Sequence, residues 1–159
     1  MTEEYPHVGD VMARLGVIAA TPREMARSDG CSLASELLQL SDSILETWLT
    51  AHGAVSTPRR KEGFRLLALH AQAARGEPSF NACRETCREI VFQHNVVDVA
   101  TDDDQRERAL RLMIMVVRHL ALFVSGKLEV AGLGEFCCAS RPLRQADVKP
   151  AVAAQSSGV

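Results

Sequence analysis

The chain has 159 residues, of which 47% are hydrophobic and 24% charged, a composition typical of one folded domain rather than a disordered segment. Its 18 basic and 20 acidic side chains give a formal net charge of −2, which argues against a surface dedicated as a whole to nucleic acid or anionic lipid. Aromatic residues make up only 4%, so platforms on which bases or sugars could stack are scarce.

The two ends of the chain differ in composition from its middle. Residues 1–9 are mostly polar and lack the charged-then-apolar pattern of a secretory signal, so they are predicted to be a flexible N-terminus. Residues 10–138 are predicted to form one helical bundle domain. Residues 139–159 are rich in Ala, Ser, Pro and Gln and are predicted to be a disordered tail.

Five helices are predicted from apolar residues that recur every three or four positions. In chain order they cover about 10–20, 32–52, 58–75, 79–97 and 103–125. The fifth is apolar on most faces and is predicted to lie at the centre. Because the links are short and no alternating strand pattern flanks a turn, we predict an all-α fold, a four- or five-helix up-down bundle.

Local signals mark the predicted helix ends. Residues 21–24 (Thr-Pro-Arg-Glu) have the form of a capping box, and residues 57–58 (Thr-Pro) and 101–104 (Thr-Asp-Asp-Asp) predict two further starts. Gly126 is predicted to end the fifth helix. After it, residues 127–138 are predicted to be a short last helix or an extended flap.

The cysteine pattern is not that of a disulfide framework. The five cysteines are Cys31, Cys83, Cys87, Cys137 and Cys138. Their odd number and irregular spacing predict free thiols and a reducing, cytoplasmic location. Cys137 and Cys138 are adjacent, which strains any disulfide between them, and lie near Arg141 and Arg144. We therefore predict that both are reactive thiols.

One cysteine and histidine pattern suggests a metal site. Cys83, Cys87 and His94 fall on one stripe of the fourth helix, and thiolate and imidazole are preferred zinc ligands. His70 or His119 could supply a fourth ligand to zinc or iron. However, His94 lies about 10 Å along the helix axis from Cys87, so the alternative is that this stripe packs into the core.

Two groups of cations are candidate contact sites. Arg59, Arg60 and Lys61 are predicted to open the third helix, where their charge opposes the helix dipole, and we predict that they bind a phosphate, a nucleic-acid backbone or an acidic partner. The alternative is a solvated helix start. Arg111 and Arg118 share a face of the fifth helix and could hold an anion as a buried pair, or could reach solvent as a polar stripe.

The chain carries no common catalytic signature and no apolar run of membrane-spanning length. It has no phosphate loop, dinucleotide glycine fingerprint, Gly-x-Ser-x-Gly or His-Glu-x-x-His, so an enzyme is not favoured. The most apolar segment, 112–124, is interrupted by Arg118 and His119, which argues against a membrane span.

We therefore predict a non-enzymatic regulatory, adaptor or accessory protein that acts through protein–protein contact and forms a homodimer. Two alternatives remain. The first is a metal- or ligand-responsive bundle that uses the Cys/His stripe. Apart from zinc or iron at that stripe, no cofactor is predicted. The second, which is not favoured, is a nucleic-acid-associated regulator that uses the basic cluster.

Overall fold

The computed structural model describes residues 8–76 and 79–132, and within these ranges the chain forms α-helices and no extended strand. The helices are α1 Val8–Ala19, α2 Arg23–Ser28, α3 Gly30–Ala51, α4 Arg65–Arg75, α5 Arg84–Val99 and α6 Asp103–Val130, and a 3-10 turn, Asn81–Cys83, precedes α5. The all-α prediction is confirmed. The prediction of reactive thiols at Cys137 and Cys138 and that of a disordered tail concern residues outside the described ranges.

Helix α6 lies at the centre, as predicted, and packs against α1, α2, α3 and α5. Its inward side chains are among the most buried in the fold, with Met113, Val117 and Leu120 all at 0% exposure. The helix begins where the acidic run predicted it, because the Asp102 side chain accepts a 2.8 Å hydrogen bond from the backbone N–H of Asp104.

The predicted end of the central helix at Gly126 is wrong. Helix α6 continues through Gly126, which is buried, to Val130. Glycine within a helix costs about 1 kcal/mol relative to alanine, and packing against the neighbouring helices outweighs that cost here. Residues 127–130 therefore belong to α6 rather than to a separate last helix or a flap.

The predicted start of the third helix at residue 58 is also wrong. Helix α4 begins at Arg65, after a tight turn in which the backbones of Lys61 and Phe64 exchange two 3.0 Å hydrogen bonds. Glu62 and Gly63 occupy the turn with φ of 55° and 85°. Two successive positive φ values are incompatible with a helix, so the turn separates the basic cluster from α4.

The N-terminal segment is more helical than predicted. Helix α1 begins at Val8, inside the range predicted to be flexible, and α2 is a further short helix. Pro22 occupies the N-cap of α2 and no side chain caps it, so the predicted capping box does not form.

Charged contacts hold α2 against α6. Arg23 Nε lies 2.8 Å from Glu107 Oε1, and Arg27 pairs with Asp104. These contacts join two cations of α2 to two carboxylates in the first turns of α6, where acidic side chains also complement the helix dipole.

By length and composition alone, α6 would pass as a membrane-spanning helix. It has 28 residues, and its most apolar 18-residue window has a mean hydropathy of 1.6. Of that window, 56% is buried inside the fold, as in the core helix of a helical domain. A single such helix is weak evidence for a membrane protein.

Candidate functional site

The outward side of α6 exposes large apolar side chains. Leu112 and Met115 are 47% and 65% exposed, and both lie on the side opposite the buried positions. Leu122 continues this side at helical spacing and is half-buried. We call the helix side that contains Leu112, Met115 and Leu122 the outer face of α6. His119 is exposed on this same face, four positions after Met115 and three before Leu122, and Arg118 is exposed beside it.

The arginine pair predicted from spacing divides into two different roles. Arg111 donates hydrogen bonds of 2.9 and 3.0 Å to the carbonyl oxygens of Ala19 and Thr21, at the end of α1. Carbonyl oxygens at the C-terminal end of a helix have no intrahelical hydrogen-bond donor. The Arg111 guanidinium supplies donors there and so caps the end of α1. Arg118 is exposed, which favours the alternative in which it reaches solvent over a buried pair with Arg111.

The cysteine and histidine stripe lies largely within the core. Cys83 and Cys87 are 2% and 0% exposed, and burial raises the pKa of each thiol to about 12. His94 lies edge-on to the Phe64 ring, with centroids 5.6 Å apart. A thiol this hard to ionise is a poor source of the thiolate that zinc requires.

No three His, Cys, Asp or Glu side chains are grouped so that they could hold a metal ion in the described part of the chain. The candidate fourth ligands lie apart, with His70 buried on α4 and His119 exposed on α6. The zinc or iron site stays a prediction, and the described geometry favours core packing for Cys83 and Cys87.

The basic cluster precedes α4 and is exposed, so the argument from an opposed α4 dipole does not apply to it. Arg60 donates a hydrogen bond to the carbonyl oxygen of Gly63. Arg59 is exposed at the surface. Lys61 borders a surface pocket of about 230 Å³ between α4 and α5.

Three cations from two parts of the chain line that pocket. Its lining residues are Lys61, Leu67, His70, Ala71, Ala74, Asn81, Arg84 and Arg88. Lys61 comes from the turn, and Arg84 and Arg88 come from the first two turns of α5. We call this the α4–α5 pocket. No carboxylate is among these lining residues, although Glu62 Oε2 lies 3.0 Å from Arg88.

His70 forms part of the pocket wall and has one unused nitrogen. The side chain is buried, and its Nε2 has no hydrogen-bond partner among the described residues. The ring donates to the backbone of Phe80, and because Nε2 is unpartnered that donor is Nδ1. Burial and the nearby Arg84, Lys61 and Arg88 lower the pKa of His70, while the backbone hydrogen bond to Phe80 opposes this.

Sequence reasoning missed the arginines of this pocket. Arg84 and Arg88 are four apart and therefore share one side of α5, close to its N-terminus. Cations near a helix N-terminus are unfavourable because they oppose the helix dipole. This unusual placement could have marked Arg84 and Arg88 as candidate site residues in the sequence. Their juxtaposition with Lys61 and His70 depends on the packing of α4 against α5.

A separate polar cluster lies between α3 and the start of α4. Arg65 pairs with buried Glu46 at 3.1 Å, and the nearby Asp42 has a buried Oδ1 without a hydrogen-bond partner among the described residues. Burial raises the pKa of Asp42 to about 6; Glu46 adds to this, while Arg65 and Arg60 oppose it.

We expect Asp42→Asn to stabilise the fold by about 1–3 kcal/mol at pH 7. Between the ordinary carboxyl pKa near 4 and about 6, the folded chain keeps a proton that the unfolded chain loses. Ionisation of Asp42 therefore lowers the free energy of unfolding progressively as the pH rises through that window. Above the window the loss has reached its full value. Denaturant unfolding of native and variant protein at pH 7 and below pH 4 measures the difference, which should nearly vanish at the lower pH.

Exposed Asp98 provides the control, since Asp98→Asn removes a carboxylate that is not buried. It should change the unfolding free energy little at either pH. A gain for Asp42→Asn that is equal at both pH values would contradict the role given to Asp42.

Comparison with family models, curated proteins and solved structures finds no match for this chain. Any functional interpretation therefore depends on the geometry of the described residues themselves.

Proposed function

We propose that this chain is a non-enzymatic regulatory or accessory helical protein that acts through contact with another protein surface, and that the outer face of α6 makes the contact. The observation that supports this is the exposure of large apolar side chains on the helix that also forms the core. Leu112 and Met115 lie on the one side of α6 that α1, α2, α3 and α5 leave open. Exposed apolar side chains that follow one helix side are typical of an interaction surface.

A second copy of the same chain is the partner that we propose. Helices packed side by side could cover the outer face of each α6, and a two-fold arrangement uses the same surface on both copies. Phe92 and Val99 are 58% and 73% exposed on α5, which packs against α6. Within each copy we propose an up-down bundle, which the short 100–102 link between α5 and α6 favours.

We expect Met115→Lys to weaken self-association by at least about 30-fold, because it places an unpaired cation in an apolar contact beside Arg118 and His119. Sedimentation equilibrium from low micromolar to submillimolar concentration measures this. Native protein should show a concentration-dependent dimer, and the variant should remain a monomer with unchanged helix content.

The matched control is Val55→Lys. Val55 is 89% exposed and lies outside α6, so the same charge placed there should leave the dimer unaffected. Native protein that stays monomeric across the whole range would rule out the homodimer. Equal weakening by both variants would show that the contact lies elsewhere.

A further inference from the structure

We propose that a pocket between the C-terminal ends of α3 and α6 binds a small aromatic carboxylate. The pocket has a volume of about 280 Å³, and we call it the α3–α6 pocket. The side chains that matter for binding come from three parts of the chain: Trp48 and His52 on α3, Phe80 before α5, and Phe123 and Lys127 on α6. None of the described lining residues belongs to the outer face of α6, so the proposal does not depend on self-association.

The pocket is open to solvent and small. Ser79, Ala82 and Val130 line it and are exposed, so a solute can enter from the surface. An apolar cavity of about 150 Å³ holds one benzene molecule. The α3–α6 pocket is larger than that but lies below the usual range for drug-sized ligands. Its size therefore fits a single ring with a short substituent.

The walls are aromatic in a chain that has few aromatic residues. Trp48, Phe80 and Phe123 are three of its seven aromatic side chains. Phe123 and His52 are half-buried and present part of their rings. Behind them lie two buried rings, Phe80 at 5.8 Å from Phe123 and Trp48 at 4.2 Å from His52, measured between centroids. A ligand ring that packs against Phe123 or His52 extends this cluster, and aromatic pairs gain more than their buried area alone provides.

Lys127 gives the pocket its charge. It is the only lysine or arginine among the described lining residues, and no carboxylate is among them. Its Nζ lies 5.5 Å from the centroid of the Phe123 ring, and it takes part in none of the salt bridges of the described residues. A ligand ring packed on Phe123 therefore brings its substituent close to an ammonium group that has no anionic partner. One cation matches the single charge of a carboxylate.

The first test is titration of the full chain at low ionic strength with phenylacetate, phenylacetamide, phenethylamine and hexanoate. Trp48 is the only tryptophan in the chain, so tryptophan fluorescence reports occupancy of the pocket, and calorimetry gives the affinities. We expect phenylacetate to bind about 3- to 10-fold more tightly than phenylacetamide, with phenethylamine weaker still. Hexanoate lacks a ring and should bind about 2- to 10-fold more weakly than phenylacetate.

Three results of this titration would overturn the proposal. They are the absence of phenylacetate binding, equal binding of phenylacetate and phenylacetamide, and phenylacetate binding that leaves the fluorescence of Trp48 unchanged. Hexanoate that binds as tightly as phenylacetate would overturn the assignment to an aromatic ligand.

Lys127→Met tests the charge separately from the walls. It keeps most of the apolar stem and removes the ammonium group, so the preference for phenylacetate over phenylacetamide should disappear while the affinity for the amide stays the same. Lys61→Met is the matched control, because Lys61 is exposed and does not line the α3–α6 pocket. It should leave both affinities unchanged. A preference that survives in Lys127→Met would overturn the role of Lys127 and the choice of a carboxylate.

Ala131→Phe tests the location. Ala131 lines the pocket, is exposed and has an ordinary helical φ of −81°, so the backbone accepts a larger side chain that narrows the pocket. Phenylacetate binding should weaken at least about tenfold. Ala13→Phe, at an exposed position of α1, is the matched control and should have no effect. Unchanged affinity in Ala131→Phe, or equal weakening in both variants, would overturn the proposal.

The competing occupant is the chain itself. Beyond Ala131 the sequence contains Leu133 and Phe136. A Leu133→Ser/Phe136→Ser chain should bind phenylacetate as tightly as the native chain does. Phenylacetate binding that appears only in this variant would assign the pocket to residues 133–136 and overturn the proposal of a small ligand.

Discussion

Replacing Phe80 with alanine is expected to lower the free energy of unfolding by about 3–5 kcal/mol. The Phe80 side chain is 2% exposed and lies between Trp48 and Phe123, with ring centroids 4.6 and 5.8 Å away. Its removal leaves a cavity where three helices and the 3-10 turn meet, and the surrounding rings cannot collapse into it fully. Denaturant unfolding followed by circular dichroism measures the loss.

Phe92→Ala is the matched control, because it makes the same chemical change at a side chain that is 58% exposed. It should alter stability by no more than about 0.5 kcal/mol. Should Phe80→Ala prove too unstable to purify, Phe80→Leu, which keeps most of the volume, should cost about 1–1.5 kcal/mol. Similar losses for Phe80→Ala and Phe92→Ala would contradict the position given to Phe80.

The thiols are expected to differ in alkylation rate by roughly a thousandfold or more. Burial raises the pKa of Cys83 and of Cys87 from 9.0 to about 12, so the reactive thiolate is about a thousandfold scarcer. Cys31 is exposed. In a Cys137→Ser/Cys138→Ser chain, iodoacetamide at pH 8 should label Cys31 quickly, as followed by mass spectrometry of peptides.

Two controls decide what protects the slow thiols. In denaturant, Cys31, Cys83 and Cys87 should all react at similar rates, because the fold is what protects the buried thiols. A metal chelator should leave the rates unchanged if Cys83 and Cys87 are packed in the core. If chelation alone made Cys83 and Cys87 react rapidly, the result would support the zinc or iron site on the Cys/His stripe.

Long apolar stripes made the central part of the fold predictable. Helix α3 was predicted over 32–52 and is observed at Gly30–Ala51, and the start of α6 was predicted at Asp103. Errors arose where tertiary packing or a turn overrode a local signal. Gly126 resembles a helix stop but is buried within α6, and the Thr-Pro pair at 57–58 resembles a cap but precedes the Glu62–Gly63 turn.

The candidate site was predictable only in part. Lys61 was singled out with two neighbouring cations, but only Lys61 reaches the α4–α5 pocket. His70 was considered as a metal ligand, and its unpaired Nε2 becomes visible only when the surrounding backbone is known. Arg84 and Arg88 meet Lys61 because α4 and α5 pack together, and residue spacing within one helix carries no information about that contact.

The position of α6 in the chain has a consequence for how the protein is made. A ribosome delivers the N-terminus first, yet α1, α2, α3 and α5 all pack against a helix that starts at Asp103. Arg111 and Ala19, which hydrogen-bond at the end of α1, are 92 positions apart. Helix α3 also packs against α4 and α5, which are translated earlier, but the nascent chain cannot complete its core until α6 has been translated.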